Sequence, residues 1–379
     1  MGLISGIILG LIILVILVIM HEAGHAVAAW RSGVVVEEFG VGFPPGAWKK
    51  KLKNGMVLSI NWLPLGGFVK LQGEHDAADG KGDYGSATFL QKTKILISGV
   101  FINWIFAAIL LTGLAVTGLP KVLPNQFSIP SDVTMINQPV EITVITKGFP
   151  AEKSGLKVGD KIIRFSGHEV PNAARLIEIS KADKGKNIEV IYNRNGVEHS
   201  AHVILRNEVK GGVFGAGLGQ RELQKSTWSA PIVGIATTTQ FTWATLQGIG
   251  GLICNLVNGL ISQFSPNISV RENASAELKT VGDSVAGPIG ILGTVFPAAQ
   301  QSGITQIIFL TAIISVSLAV MNILPIPALD GGRWFTMALF KVLKKKLTRE
   351  REEKIQTVGF SFLMGLVILV TIADVARLF

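Results

Sequence analysis

Four long runs of apolar residues constrain this sequence more than any other feature. The first, residues 3–20, contains only apolar or small residues, and its helical pattern continues to Trp30. The others are residues 95–119, 304–324 and 355–372. A helix needs about 20 consecutive apolar residues to cross the hydrocarbon core of a bilayer. The sequence therefore predicts an α-helical polytopic membrane protein with four transmembrane helices.

Composition supports this class, since only 16% of the residues are charged against about a quarter in soluble domains. The net charge of +9 does not indicate a nucleic-acid partner, because basic residues in membrane proteins mainly report topology. Neither a basic n-region nor a small-residue cleavage site accompanies the first run, which predicts a retained helix. Cys254 is the single cysteine, which excludes a disulfide framework or a cysteine-based zinc site within one chain.

Two basic segments, residues 48–53 and 341–354, are predicted to lie on the cytoplasmic side by the positive-inside rule. The first helix then ends inside, the second returns outside, and residues 120–230 lie outside. Residues 231–261 carry a polar face that includes Thr237, Gln240 and Asn255. An odd number of membrane crossings there would make the third helix start inside, and the basic segment 341–354 would then lie on the wrong side. We therefore predict an amphipathic helix that does not span.

Two other parts of the chain have β character. Residues 34–43 and 57–62 are rich in β-branched and aromatic residues between turn residues, which predicts a small sheet ending at residues 66–71. Residues 139–205 are typical of a soluble α+β domain. Its predicted strands are 140–146, 161–165, 188–192 and 200–205, and its predicted helices lie near 150–156 and 173–181.

The motif His21-Glu22-Ala23-Gly24-His25 lies at the end of the first apolar run. Residues four apart share one face of a helix, and two imidazoles placed there can hold one Zn²⁺. Glu22 is the predicted catalytic base, because a carboxylate beside the metal can take a proton from the attacking water. A chance pattern is disfavoured, since polar residues inside an apolar helix are costly.

Such a site needs a third protein ligand, and no third histidine follows the motif at the usual spacing. The candidates are Glu37, Glu38, Glu74, His75, Asp76 and Asp330. Asp330 is preferred, because it follows the third helix on the predicted side of His25. Prolines 325 and 327 precede it and break the helix, which is acceptable at membrane depth only near protein or a water-filled cavity.

Asn103 and Asn322 are the other polar residues at membrane depth. The alternative for both is a hydrogen bond between packed helices. Asn322 lies two turns before Asp330 and is placed to hold the substrate backbone or an oxyanion. For Asn103 this alternative is strong.

These motifs together resemble the site-2 protease family of intramembrane zinc metalloproteases, and most closely its bacterial regulator of sigma-E protease group. The resemblance rests on the histidine motif, the segment 64–70, the segment 99–104, the PDZ-like stretch 139–205, the segment 287–290 and the stretch 322–332. It covers nearly the whole chain, and the combination is far more specific than any one piece.

The resemblance implies one zinc per chain, held by His21, His25 and Asp330, with Glu22 as general base. It implies a membrane re-entrant sheet that pairs with an unwound substrate strand, and an extracytoplasmic PDZ-like domain that filters substrates trimmed by an upstream site-1 protease. The substrate-binding residues that follow from it are Gly66, Gly67 and Phe68 at the end of the sheet, with Asn103 and Asn322 on the helices. The substrates would be single-span proteins of the bacterial inner membrane, such as anti-sigma factors or remnant signal peptides, cleaved near the cytoplasmic side.

With that resemblance the chain divides into seven parts. They are the first transmembrane helix with the zinc motif (1–33), the re-entrant sheet (34–73), the second transmembrane helix (93–120), the PDZ-like domain (135–206), a non-spanning region (228–300), the third transmembrane helix with the third ligand (303–332) and the fourth transmembrane helix (355–379).

Two departures from the family pattern are visible. The better-known Gram-negative members carry two PDZ domains, whereas this chain has room for one, and Val100 stands where proline usually follows Gly99. Two other functions compete with proteolysis. A scaffold protein with a structural zinc site would not need Glu22, and a metal transporter is disfavoured because no inverted repeat is visible.

Overall fold

A computed structural model describes residues 2–194, 196–208, 212–284 and 287–376. Its contacts divide the chain into two compact units, one formed by Met1–Gly113 with Gly234–Phe379 and the other by Leu114–Val233. The helices are α1 Gly2–Arg31, α2 Phe89–Thr117, α3 Pro150–Lys153, α4 Ala173–Ala182, α5 Ala230–Ser262, α6 Ile268–Ser284, α7 Pro288–Gly290, α8 Phe296–Gln301, α9 Ile304–Ile323, α10 Asp330–Val342 and α11 Arg349–Ala376, with a π-helical segment Ile291–Val295 between α7 and α8. The strands are β1 Val36–Lys51, β2 Val57–Leu71, β3 Leu119–Pro120, β4 Thr134–Asn137, β5 Val140–Ile145, β6 Lys161–Phe165, β7 His168–Glu169, β8 Asn187–Arg194, β9 Val197–Ile204, β10 Ala216–Gly219 and β11 Glu222–Lys225.

Among the described residues, five helices are long and apolar enough to cross a membrane: α1, α2, α5, α9 and α11. Four of them correspond to the predicted spans, and residues 377–379 of the last predicted range lie outside the described residues. The fifth, α5, falls in the region predicted not to span. A Cβ added at Gly234 would meet Thr112, and Trp104 donates a hydrogen bond to Thr242 at 3.0 Å.

These contacts set α5 antiparallel to α2 over its first turns, which argues against a position flat on the membrane surface. The protein therefore has the helices and sheets of a polytopic membrane protein. That only four helices span stays a prediction.

Local chemistry fixes the ends of the helices that carry the site. At the start of α2 the Thr88 side chain accepts from Gln91 N (3.3 Å) and the Gln91 side chain accepts from Thr88 N (2.8 Å), which is a capping box. At the end of α9, Leu324 is extended, with φ −64° and ψ 146°. The residue before a proline is driven out of the helical region, so Pro325 ends the helix.

Strands β1 and β2 are long and bent, and they pair twice. Residues 36–41 pair with residues 67–71 on one side and with residues 57–60 on the other, and residues 46–51 pair with residues 57–61. The result is a mixed arrangement of four segments, in the order 67–71, 36–41, 57–61 and 46–51. The two outer pairs are antiparallel, whereas residues 36–41 and 57–60 run in the same direction. The basic residues 49–51, predicted as part of a short loop, lie on an outer strand. The segment 67–71, named the edge strand below, forms the opposite outer strand.

The second unit contains the predicted α+β domain. Its sheet has the order β10-β5-β6-β8-β9, with β7 paired to β6, and its core includes Ile142, Ile162, Phe165 and Val190, all fully buried. Strand β10 lies beyond the predicted range 135–206 and pairs antiparallel with β5. A smaller sheet, β3-β11-β4, completes this unit.

Candidate metal centre

Helix α1 places two histidines on one buried face. His21 and His25 are each 8% exposed. A close crossing with α2 makes room for them, because a Cβ added at Gly24 would lie 2.7 Å from the Ser98 carbonyl oxygen. A Cβ at Gly99 would run into His25 Nε2 and lie 2.8 Å from His21 Cε1. Glycine at position 99 therefore leaves the space that the imidazoles occupy.

Asp330 reaches the histidines from the first turn of α10. The chain turns back after α9 through Ala328, which has a left-handed φ of +75°. Cβ atoms added at Gly331 and Gly332 would strike the carbonyl groups of Ile323 and Ile326. The two glycines are thus required for the close packing of α10 against the end of α9. The helix α10 was not predicted from the sequence.

The three side chains meet in a nearly equilateral triangle. Nε2 of His21 and Nε2 of His25 are 3.1 Å apart, and Asp330 Oδ2 lies 3.1 Å from the first and 3.2 Å from the second. Neighbouring ligand atoms of a tetrahedral zinc site lie about 3.3–3.4 Å apart. Among the described residues, these three form the group that could hold a metal ion.

The hydrogen bonds favour a cation held by these three atoms. His25 Nδ1 lies 2.7 Å from the Ile95 carbonyl oxygen, so this nitrogen carries the proton and donates it. In the neutral ring Nε2 then presents a lone pair toward Asp330 Oδ2, which is buried without a well-formed hydrogen bond. Lone pairs facing one another repel unless a cation lies between them. A ligating histidine commonly donates its other ring nitrogen to a carbonyl group, so the residues present fit a zinc ion.

Glu22 lies between the ligands and the edge strand. Its carboxylate accepts a hydrogen bond from the Val69 backbone N–H and is close enough to His21, His25 and Asp330 to interact electrostatically with them. A Cβ added at Gly67 would lie 3.2 Å from Glu22 Cγ. Gly67 therefore lets the edge strand approach the carboxylate.

The other candidate ligands are engaged elsewhere, the carboxylates in ion pairs and His75 in a contact with a carboxylate. Their partners are Lys70 for Glu37 (2.8 Å), Lys49 for Glu38 (3.1 Å), Arg333 for Glu74 (3.1 Å), Glu353 for His75 (3.5 Å) and Lys92 for Asp76. Asp330 is the one candidate that the structure brings to the histidines.

The predicted substrate-binding residues occupy different positions. The Phe68 ring covers Gly40, where an added Cβ would strike it, so its side chain is used in packing. A Cβ at Gly66, whose φ is +151°, would meet the Phe43 ring. Asn103 is fully buried one turn after Gly99, and its side-chain amide has no hydrogen-bond partner. Asn322 is half-buried in the last turn of α9.

Sequence reasoning missed a charged network beside Asp330. Arg333 on α10 contacts Glu74, Glu352 and the ring of Tyr84, whose centroid lies 4.6 Å from the guanidinium carbon. Burial raises the pKa of Tyr84 above its usual range, so the phenol stays protonated. A cleft of about 790 Å³ lies here and reaches Asp330. No local signal marks Arg333, because its partners are remote in sequence.

Comparisons with known proteins find relatives that match nearly the whole chain. The model of peptidase family M50 matches residues 9–366. A putative zinc metalloprotease of Clostridium perfringens is 29% identical over 366 residues, covering 95% of each chain. One from a Nostoc species is 30% identical over 378 residues, covering 97% of this chain and 94% of its own. The regulator of sigma-W protease RasP of Bacillus subtilis is 25% identical over 451 residues, covering 96% of each.

One solved structure, the PDZ domain of an SdrC-like protein from Listeria monocytogenes, is 21% identical. It covers 21% of this chain and 87% of its own, with a TM-score of 0.20. A score this low carries no weight for the fold of the second unit, which rests on its own strand order.

Proposed function

The chain belongs to peptidase family M50, and from that premise we propose that it is a zinc endopeptidase that hydrolyses peptide bonds inside the membrane. The observation that carries the proposal is the triangle of His21, His25 and Asp330, two of whose members lie on an apolar helix long enough to span the bilayer. Polar residues at that depth are costly and mark function.

We propose that His21, His25 and Asp330 hold one zinc ion. Zinc, when bound, supplies a Lewis acid for the scissile carbonyl and lowers the pKa of water. Glu22 accepts the proton of the attacking water and returns it to the leaving amine. The Val69 N–H holds the Glu22 carboxylate, and the Ile95 carbonyl fixes the His25 ring.

The edge strand is the proposed docking site for substrate. Among the described residues, the segment 67–71 pairs with residues 36–41 on one side only, so an extended peptide can add to the other side as a further strand. A helical substrate must unwind first, because its carbonyl groups are hydrogen-bonded within the helix. Gly66, Gly67 and Phe68 contribute backbone groups, and Asn322 and Asn103 are proposed to hold the peptide or its oxyanion.

The proposed substrates are single-span membrane proteins, such as anti-sigma factors or remnant signal peptides. The name of the Bacillus subtilis relative, a regulator of sigma-W protease, supports the first class. We propose a multi-pass protein of the bacterial inner membrane, with its active site near the cytoplasmic side. Its PDZ-like second unit would lie outside and select substrates already cut by an upstream protease.

The test compares Glu22→Gln with the wild type in proteoliposomes that contain a single-span reporter. The variant should retain zinc and lose cleavage, because the ligands are unchanged while the base is removed. Glu178→Gln, at an exposed carboxylate of α4, is the matched control and should cleave normally. Cleavage by Glu22→Gln at the wild-type rate would contradict the assignment of the base. Substrates trapped on this variant can then be identified by mass spectrometry.

A further inference from the structure

Arg333 carries a largely buried charge that has no role in the proposed chemistry. Its side chain is 17% exposed, and it lies in the first turn of α10, three residues after Asp330. Residues three apart are neighbours on a helix surface. The guanidinium group therefore lies beside the residue proposed as the third metal ligand.

The guanidinium group joins three segments of the first unit. Nη1 donates to Glu74 Oε1 at 3.1 Å and Nη2 donates to the Glu74 carbonyl oxygen. Nε donates to Glu352 Oε1 on α11 at 3.2 Å. Glu352 Oε2 in turn accepts from the Asp76 backbone N–H at 2.8 Å. Arg333 thus ties α10 to α11 and, twice, to the loop that follows the edge strand.

The loop contact constrains the edge strand directly. The strand ends at Leu71, and Glu74 follows after a turn at Gly73, where φ is +54°. Arg333 binds both the side chain and the backbone carbonyl group of Glu74, so the position of Glu74 is fixed by two contacts. Because the connection is short, a fixed Glu74 also fixes the end of the edge strand. The same strand approaches Glu22 at Gly67.

We propose that Arg333 is a positioning residue that determines which peptide bond of a bound substrate is cleaved. It does so by holding the end of the edge strand at a set distance from Asp330. This inference rests on the proposed function, because it concerns the bond that the zinc peptidase selects. A substrate paired with the edge strand advances by about 3.4 Å per residue, and a displacement of about 1 Å can cost catalysis about 100-fold.

Arginine suits this task better than lysine. The planar fork donates several hydrogen bonds in fixed directions, whereas an ammonium group is a flexible point charge. Here the fork serves two carboxylates and a carbonyl group while its face lies over Tyr84. Arg333→Lys should keep the positive charge but lose the fixed directions of the hydrogen bonds. It therefore distinguishes a positioning role from a need for charge alone.

The experiment maps the products of a single-span reporter by mass spectrometry for zinc-loaded, full-length wild type, Arg333→Lys and Arg333→Gln in proteoliposomes. The wild-type bond should fall below about half of all cleavage in both variants. New termini should lie about two residues away, since a slip of two keeps each side chain on its face. The kcat for the original bond should fall about 10-fold or more, with KM changed less than about threefold.

Arg349→Gln is the matched control, because Arg349 pairs with Glu353 on the exposed start of α11 at 2.8 Å. Its products should match those of the wild type. Glu74→Gln provides a milder test if the Arg333 variants fold poorly, because it leaves the backbone contact intact. It should produce the same new termini in smaller amounts.

Variants that lose activity or stability but keep the wild-type termini would overturn the inference and leave Arg333 a structural residue. A wild type that cleaves nothing would refute the proposed function itself, and this inference with it. Cleavage by the wild type with unchanged termini in all variants would refute only the role of Arg333.

Discussion

Gly99→Ala is expected to weaken zinc binding while leaving the fold of the protein intact. The added Cβ would lie 2.8 Å from His21 Cε1 and closer still to His25 Nε2. Non-bonded atoms prefer separations near 3.5 Å, so the His21 ring must move by about 0.7 Å. A metal site tolerates about 0.2 Å. Helix α2 can relieve the overlap only by moving away from α1, which withdraws the Ile95 carbonyl from His25.

We therefore expect zinc affinity to fall about 100-fold, the upper end of the range for residues that orient metal ligands. This corresponds to about 2.7 kcal/mol of binding free energy. The intrinsic effect of the substitution on the helix is opposite in sign, because alanine is favoured over glycine in a helix interior by about 1 kcal/mol. Gly99→Ala should therefore bind zinc more weakly without lowering the stability of the helix.

Gly113→Ala is the matched control on the same helix, since a Cβ added at Gly113 meets nothing within 4 Å. Zinc affinity is measured by competition with a fluorescent chelator, and zinc per chain by mass spectrometry of the metal. Gly113→Ala should bind zinc as the wild type does. Zinc affinity of Gly99→Ala within about threefold of the wild type would refute the steric reasoning, and with it the placement of Gly99 against the imidazoles.

Two further predictions concern the second unit and the topology. Burial acts to raise the pKa of Asp132, but hydrogen bonds from Ser229 and Thr227 outweigh it and hold the pKa below its usual range. A depressed folded-state pKa gives stability that is present above the unfolded value of about 3.9 and is lost as the pH falls through the folded value. Asp132→Asn should therefore lower the Tm at pH 7, with a difference that shrinks below about pH 4. A difference independent of pH in a thermal melt would contradict this. In a Cys254→Ser background, cysteines at positions 228 and 302 should be labelled from the same, outer side. A cysteine at position 265 decides whether α5 crosses the membrane: it is labelled from outside if α5 does not span and from inside if α5 does.

The parts of the site that the sequence predicted are those encoded locally. His21, Glu22 and His25 are adjacent on one helix, and their spacing alone defines a shared face. Asp330 was selected from six candidates because topology placed it on the same side as His25. The end of α9 follows from Pro325, which is adjacent to it in sequence.

The parts that escaped prediction depend on contacts between remote segments. Gly99 is one of many small residues in an apolar run, and only the crossing of α1 and α2 shows what it makes room for. In the sequence, Arg333 looks like any basic residue near the start of a helix. Only the structure shows that it contacts Glu74 and Glu352. The four-segment sheet arises because β1 and β2 each bend and pair twice, which a period-two pattern does not reveal.

The path of α5 and α6 determines whether the two halves of the site share one membrane side. His25 ends α1 and Asp330 follows α9, so both helices run toward the site, and the crossings between α2 and α9 must be even in number. Helix α5 starts antiparallel to α2, and Gln263 at its end donates to Ser275 of α6 at 2.8 Å.

The 17 residues of α6 cover about 25 Å, enough to carry the chain most of the way back. Pro297 then packs against Gly6 in the first turns of α1, where an added Cβ would lie 2.6 Å from it. The chain therefore returns to the N-terminal end of α1 before α9 begins, whichever side residue 265 occupies. Labelling of residue 265 from inside would show that α5 crosses the membrane and that the chain crosses back before α9, without separating Asp330 from His25.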